Sequence, residues 1–319
     1  MSESSTGTSE TVSRAVRLLS FGGPEALSVQ EVPVPQAGPG QIRVRVTAAG
    51  LNPMDWYMTS DEETAARFGL SLPCGFGTDY AGVVDQVGDG VRGFAVGDRV
   101  FGGALSRAVA DHVVVGEAGT IAVGGEAHHT PDGVDDRTAA TLAIAGRTAA
   151  AALAVVGPGP GDTVLVGGAG GGVGVFAVQL ARRAGARVIG TGSAASAEAL
   201  RALGAEPVTY GPGLADRVRA LAPAGVTAAM DLHGTDTAQA ARELGVPDER
   251  ITTIAARVDG ITPANGADAT AAAIEEIAGL VAAGRLRVPV AATFPVEQVR
   301  AAVERQAGRH VHGKVVIEL

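Results

Sequence analysis

The sequence predicts an α/β fold in which a doubly wound parallel sheet follows a β-rich, barrel-like domain. Three observations carry that expectation. The stretch Val164-Leu165-Val166-Gly167-Gly168-Ala169-Gly170-Gly171-Gly172-Val173-Gly174 passes from a β-branched run through a glycine cluster into a helical pattern at Val175, Val178, Leu180 and Ala181. After it, strand-like and helical runs alternate, as βαβ units of a parallel sheet do. Before it, short strand-like runs follow at close spacing with little helix between them, which suggests a barrel.

In chain order, 15–19, 27–32, 41–48, 81–87, 99–101 and 111–115 read as strands. Turn clusters at Gly22-Gly23-Pro24, at 33–40 and at Gly88-Asp89-Gly90 cut them apart. Residues 124–133 read as a loop, and 135–156 as one long alanine-rich helix ended by Gly157-Pro158-Gly159-Pro160. Strands at 163–166, 187–191, 207–210, 226–232 and 250–255 then alternate with helices at 172–184, 195–203, 214–221 and 236–244. A helix at 267–283, an extended run at 285–294, a helix at 295–306 and a strand at 314–319 complete the chain. The last strand is expected to pair back with the first domain. The expected division is a disordered tail over 1–14, a β domain over 15–130, a parallel-sheet domain over 131–266 and a return to the β domain over 267–319.

Composition narrows the function. The 319 residues are 46% hydrophobic and 18% charged, ample for about two globular domains. Aromatics are only 3%, so the core must be built from Val, Leu, Ile and Ala. A net charge of −9 argues against nucleic acid or an anionic membrane as partner. Cys74 is the only cysteine, which excludes an internal disulfide and a multi-cysteine zinc site and fits a reducing cytoplasm. No apolar run reaches membrane-spanning length uninterrupted, and the Ser/Thr/Glu-rich start lacks the apolar segment of a signal peptide.

Within the glycine stretch, Ala169, Gly171 and Gly174 form A-x-G-x-x-G, a small-residue form of the dinucleotide (Rossmann) fingerprint. Its residues allow a tight turn, close approach to a pyrophosphate and tight helix–strand packing. The helix start at Gly172 and Val173 offers free N–H groups and a positive dipole end to the phosphates. A dinucleotide site of the NAD type carries an acid about 20 residues on. Here that strand end reads Ile189-Gly190-Thr191-Gly192-Ser193, with no acid until Glu198. Ser193, Ser196 and Tyr210 instead offer hydroxyls to a ribose 2′-phosphate, and both serines also suit helix N-capping. A separate chemistry-bearing segment is Asn52-Pro53-Met54-Asp55-Trp56-Tyr57, with an amide, a carboxylate and a phenol on one turn. Pro53 favours extended or turn geometry at Asn52, which is expected to aim the amide outward.

With Phe21-Gly22-Gly23-Pro24-Glu25, Ala49-Gly50-Leu51-Asn52-Pro53-Met54-Asp55, Gly77-Thr78-Asp79-Tyr80-Ala81-Gly82, Val96-Gly97-Asp98-Arg99-Val100 and His312-Gly313-Lys314-Val315-Val316 in this order, the chain resembles the zinc-independent medium-chain dehydrogenase/reductases. It is most similar to quinone oxidoreductases of the zeta-crystallin type. The resemblance implies a GroES-like catalytic domain built from both chain ends, a Rossmann domain, NADPH in the cleft between them, and commonly a homodimer. It implies hydride transfer to a quinone or to the C=C of an α,β-unsaturated carbonyl. A tailoring reductase for one elaborate metabolite, or a cofactor-binding protein with little catalysis, are the alternatives.

By the same resemblance, Ser193 and Tyr210 meet the 2′-phosphate, while Ser196 stands where the family usually has a lysine. Thr148 lies near the nicotinamide–phosphate side, and Ala255 and Ala256 line the nicotinamide pocket through their backbone. Asn52 orients cofactor or substrate, and Tyr57 donates a hydrogen bond or proton. Asn52 also occupies the place of the first cysteine ligand in related zinc enzymes, and Gly77-Thr78-Asp79 replaces their Gly-His-Glu, so the chemistry is expected to be metal-free. Asp55, Trp56 and Lys314 are expected to be structural, Arg147 a surface residue, and His128, His129, His310 and His312 solvated. The departures at 59–72 and 116–129 are expected to rim the cleft.

Overall fold

The computed structural model describes residues 12–308 and 311–319. Residues 1–11 of the expected tail, and His310, lie outside the described residues. The chain enters through β1 (Val12–Leu18), which begins within the expected tail because Val12 and Ser13 pair with Pro33 and Val32 of β2 (Leu27–Pro33). β3 (Gln41–Leu51) follows, then α1 (Pro53–Tyr57) and α2 (Glu62–Arg67). α2 lies in the 59–72 stretch, capped by Asp61, whose side chain accepts from the Thr64 N–H at 2.8 Å. The barrel is filled out by β4 (Cys74–Gly75), β5 (Asp79–Val87), β6 (Arg99–Gly103), β7 (His112–Gly116) and β8 (Glu126–His129).

The expected helix over 135–156 is two helices, α3 (Asp136–Ala139) and α4 (Ala143–Val156). The Thr141 hydroxyl donates to the Thr138 carbonyl at 2.6 Å, a local bond that competes with continued helix. The parallel-sheet domain then runs β9 (Thr163–Gly167), α5 (Gly174–Arg183), β10 (Arg187–Gly192), α6 (Ala197–Ala202), β11 (Glu206–Thr209), α7 (Leu214–Leu221), β12 (Ala228–Asp231), α8 (Asp236–Glu243), β13 (Ile251–Thr253) and β14 (Thr262–Pro263). The last elements are α9 (Ala271–Ala282), β15 (Val290–Pro295), α10 (Val299–Ala307) and β16 (Lys314–Glu318).

The six parallel strands lie in the order β11-β10-β9-β12-β13-β14. The chain starts at β9, winds outward to β11, and returns to β12 on the other side, so the switch point lies between β9 and β12. Such a crevice, at the carboxyl ends of the strands, is where open α/β sheets bind ligands. Both faces are covered, and strand alternation decides which side chain goes where. Val164 and Val166 of β9 pack with Ala145, Phe176, Val178 and Ile277, while Leu165 joins Val218, Ala238 and Ala241 on the opposite face. Because Ile274, Ile277 and Ala278 share the core of α4 and α5, α9 stays with the parallel sheet, and the chain returns to the barrel only at β15.

In the barrel the central path is β15-β16-β3-β5-β6-β8, with β7 also on β3. β3 serves three partners because its ends differ: residues 41–45 pair with β7, and residues 48–51 with β16. Register shifts at Arg43/Val44 and Val46/Ala48 bend it between them. Its carboxyl end delivers Asn52 to the junction of the domains. Among the described residues, no helix is long and apolar enough to cross a membrane.

Phe176 is fully buried in the larger core. Phe176→Ala is expected to cost about 3–5 kcal/mol through lost burial and the cavity left behind. The measurement is the urea midpoint of unfolding; a midpoint equal to that of the parent protein contradicts this packing.

Candidate active site

The glycine turn joins β9 to α5 as the sequence predicts. Gly171 N–H donates to the Gly168 carbonyl at 2.9 Å, closing a tight turn. At Gly174 a β-carbon would stand 2.2 Å from the Gly168 oxygen, so only glycine lets α5 pack this close to β9. Ala169 is buried beneath the turn. The N–H groups of Gly172, Val173 and Gly174 have no acceptor among the described residues. Unpaired amides at a helix start, with no side chain in the way, form a cradle that fits a dinucleotide pyrophosphate.

Across the junction, the Asn52 amide does not point outward. It is 4% exposed, with Nδ2 donating to Asp79 Oδ2 at 2.9 Å and Oδ1 accepting from Lys314 Nζ at 2.5 Å. Pro53 sets the extended backbone at Asn52 (φ −127°, ψ 148°), but two buried charges decide where the amide goes. Lys314 Nζ also lies 3.5 Å from Asp79. The other oxygen of Asp79 accepts from the Ile144 N–H at 2.9 Å, placing a carboxylate at the N-terminus of α4. Asp55 accepts from the Asn52 N–H at 2.8 Å and from Thr78 Oγ1 at 2.7 Å. One network thus ties β3, α1, β5, β16 and α4 together. Lys314, expected only to steady the last strand, fixes the orientation of the Asn52 amide.

Burial governs the ionisation of this network. Loss of hydration pushes the Asp55 carboxyl up to about 7, against the pull of its hydrogen bonds from Thr78 and Asn52. Burial likewise raises Asp79, an effect tempered first by Lys314, and lowers Lys314, tempered by Asp79 and Asp55.

Tyr57, at the end of α1, is 50% exposed and meets Phe68 edge-on, with ring centroids 6.4 Å apart at 87°. Its phenol faces water beside the buried network, while Trp56 turns inward and donates to Gln306 at 3.0 Å.

At the far end of the cofactor crevice, β10 and β11 pair Gly192 with Thr209, so Ser193 and Tyr210 extend from adjacent strand ends. Tyr210 is 60% exposed. Ser196 departs from expectation. It is 1% exposed, donates to the Ser193 carbonyl at 2.8 Å, and lies where a side chain on Gly192 would have stood. Its hydroxyl is spent internally, and neither serine makes a side-chain capping bond. Arg217, which the sequence did not single out, donates to the carbonyls of Thr209, Tyr210, Gly211 and Pro212 and holds the loop that presents Tyr210.

Thr148 faces its own helix, donating to the Ile144 carbonyl at 2.7 Å. Ala255 is exposed just beyond β13. Arg147 is not a surface residue: it is buried and pairs with Glu126 at 2.5 Å, linking α4 to β8. His128 is buried too, its ring against Phe101 and 3.6 Å from Glu126, whereas His129 is exposed and stacks on Phe94. Zinc requires several Cys, His or carboxylate ligands at one point. Among the described residues, no three such side chains converge.

A family model described as alcohol dehydrogenase GroES-like domain matches residues 38–133, and one described as zinc-binding dehydrogenase matches residues 109–317. The chain belongs to the zinc-binding dehydrogenase family, whose model spans more than half of it. The quinone oxidoreductase of Rattus norvegicus is 36% identical over 189 residues, covering 58% of this chain and 54% of the rat protein. The chain thus matches about half the length of its curated relatives. The solved quinone oxidoreductase of Coxiella burnetii superimposes with a TM-score of 0.85 at 27% identity, over 97% of this chain and 99% of that one. Mycobacterial Rv1454c complexed with NADPH superimposes with a TM-score of 0.83 at 26% identity, over 96% of this chain and all of that one.

The Asp55 carboxyl keeps its proton up to about pH 7 when folded and releases it near the ordinary 3.8 when unfolded. Between those limits the folded protein binds more protons. This contribution to stability is complete below the lower value and is lost as pH rises through the upper one. Asp55→Asn is expected to flatten the fall in melting temperature between pH 4 and pH 7. Parallel pH profiles for variant and parent would rule the assignment out.

Proposed function

We propose that the chain is an NADPH-dependent, zinc-free oxidoreductase that delivers hydride to a quinone or to the C=C of an α,β-unsaturated carbonyl. The observation that carries this reading is the meeting of two devices at one junction. A glycine cradle for pyrophosphate lies beside an Asn52 amide locked by Lys314 and Asp79, with the exposed Tyr57 phenol at the end of the same short helix.

Choice of NADPH rests on the acid-free strand end, where a 2′-phosphate meets no carboxylate repulsion, and on the hydroxyls of Ser193 and Tyr210 at adjacent strand ends. When bound, the cofactor supplies the hydride. The protein's part is to place and polarise. Asn52 has one amide N–H beyond its bond to Asp79, available to the nicotinamide ribose or the acceptor. As the acceptor is reduced, charge develops on its carbonyl oxygen, and a phenol facing water can donate a hydrogen bond or proton to it. The exposed Tyr57–Phe68 corner suits a flat conjugated ring. Arg147 and Lys314 are both buried against carboxylates, so neither is offered to an anionic acceptor.

Two measurements test the proposal. NADPH oxidation across matched panels of quinones and enones should exceed NADH oxidation with the same acceptors. Tyr57→Phe should lower kcat by about 10²-fold while leaving NADPH affinity unchanged, a loss typical of a positioned proton donor. Full turnover in that variant would remove Tyr57 from the chemistry, and absence of turnover with every acceptor would remove the enzyme reading.

A further inference from the structure

Three consecutive residues before and within the start of β16 lie along the glycine turn. Gly313 N–H donates to the Gly170 carbonyl at 2.9 Å, and the Lys314 stem runs beside Gly172. His312 lies over Gly170 itself: a β-carbon there would stand 2.7 Å from His312 Nδ1 and 3.0 Å from its Cε1. The same β-carbon would lie 3.7 Å from Leu200 of α6. Leu200 in turn borders Gly192, where the buried Ser196 hydroxyl lies. The His312 ring therefore occupies the corner between the pyrophosphate turn and the loop at 193–196, and it is exposed to solvent.

We propose that His312 is a phosphate-binding residue of the cofactor site, its imidazolium meeting an anionic oxygen of the bound dinucleotide. The inference rests on the NADPH reading above. It answers a need that reading leaves open, because Ser196 turns its hydroxyl inward to the Ser193 carbonyl and carries no charge to offer a phosphate. An imidazolium donates from both ring nitrogens, and a nearby phosphate favours that charged form. The charged groups on the elements around it leave this position free. Lys314 commits its ammonium to Asn52 and Asp79, α6 carries exposed Glu198 and Arg201, and the glycine turn carries no charge. Among the described residues, His312 has no ion-pair partner. The 2′-phosphate and the pyrophosphate share the chemistry that His312 recognises, and their fragments separate them.

The test is calorimetric titration of the whole protein with NADPH, NADH, 2′,5′-ADP and 5′-ADP at pH 6 and pH 8, in the parent, His312→Gln and His312→Arg. The 2′-phosphate itself gains charge over this range, so the parent is compared with each variant at the same pH. His312→Gln is expected to weaken NADPH binding about tenfold at pH 6 and little at pH 8, as befits one charge-assisted hydrogen bond. His312→Arg should restore tight binding at both. Weakening confined to NADPH and 2′,5′-ADP assigns the contact to the 2′-phosphate; weakening that extends to NADH and 5′-ADP assigns it to the pyrophosphate. Equal affinity of parent and His312→Gln for all four ligands at pH 6 overturns the inference while leaving the NADPH reading in place. A parent that binds no NADPH at either pH overturns both.

Discussion

Lys314 and Asp79 face each other at 2% and 0% exposure, and the architecture of the junction follows from that pair. Two charges without water must satisfy one another and recruit every neighbouring polar group. Asn52 fills the gap between them, Ile144 N–H takes the remaining carboxylate oxygen, and Asp55 accepts the Asn52 backbone N–H beside them. Removing one member leaves another buried charge uncompensated, at a cost of about 3–5 kcal/mol. The arrangement therefore has little freedom, and the amide it holds has a single orientation.

Much of the fold was legible because the pattern changes period at one place. Short alternating runs give way at Val164 to alternating strands and helices, and the glycine cluster marks the first crossover. The parallel order, the strand that returns to β3 and the cofactor turn follow from that pattern. What was not legible concerned direction. Sequence shows that Asn52, Ser196 and Arg147 are polar, but each was buried by a partner distant in sequence or by a missing side chain. Lys314 lies 262 positions from Asn52, and Glu126 lies 21 positions from Arg147. Ser196 turns inward because Gly192 leaves the space. Lys314, Asp79 and Asn52 did sit in three separately noticed motifs, so their convergence was the signal available and unused.

The break between α3 and α4 has a similar origin. An alanine-rich run offers no reason to stop, and the periodicity continues through it. The Thr141 hydroxyl and the Asp79 carboxylate supply the reason, one by competing for a carbonyl and the other by taking an N–H at the new helix start. The restart aims α4 into the junction, where Arg147 reaches Glu126 on β8. The two domains are thus stitched beside the cofactor turn, along α4 and at α3, where Asp136 pairs with Arg99 and Arg137 with Glu318.

The place of β16 between β15 and β3 bears on how the protein is made. On the ribosome, β3 emerges before β16, and while the parallel-sheet domain between them is synthesised, one edge of β3 over residues 48–51 lacks its neighbour. Through that interval the nascent barrel presents an apolar, unpaired edge, a template for association with other chains. Closure of the barrel, neutralisation of Asp79 and backing of the glycine turn then arrive together with one short segment. Dependence on chaperones should accordingly concentrate in the interval before β16 emerges.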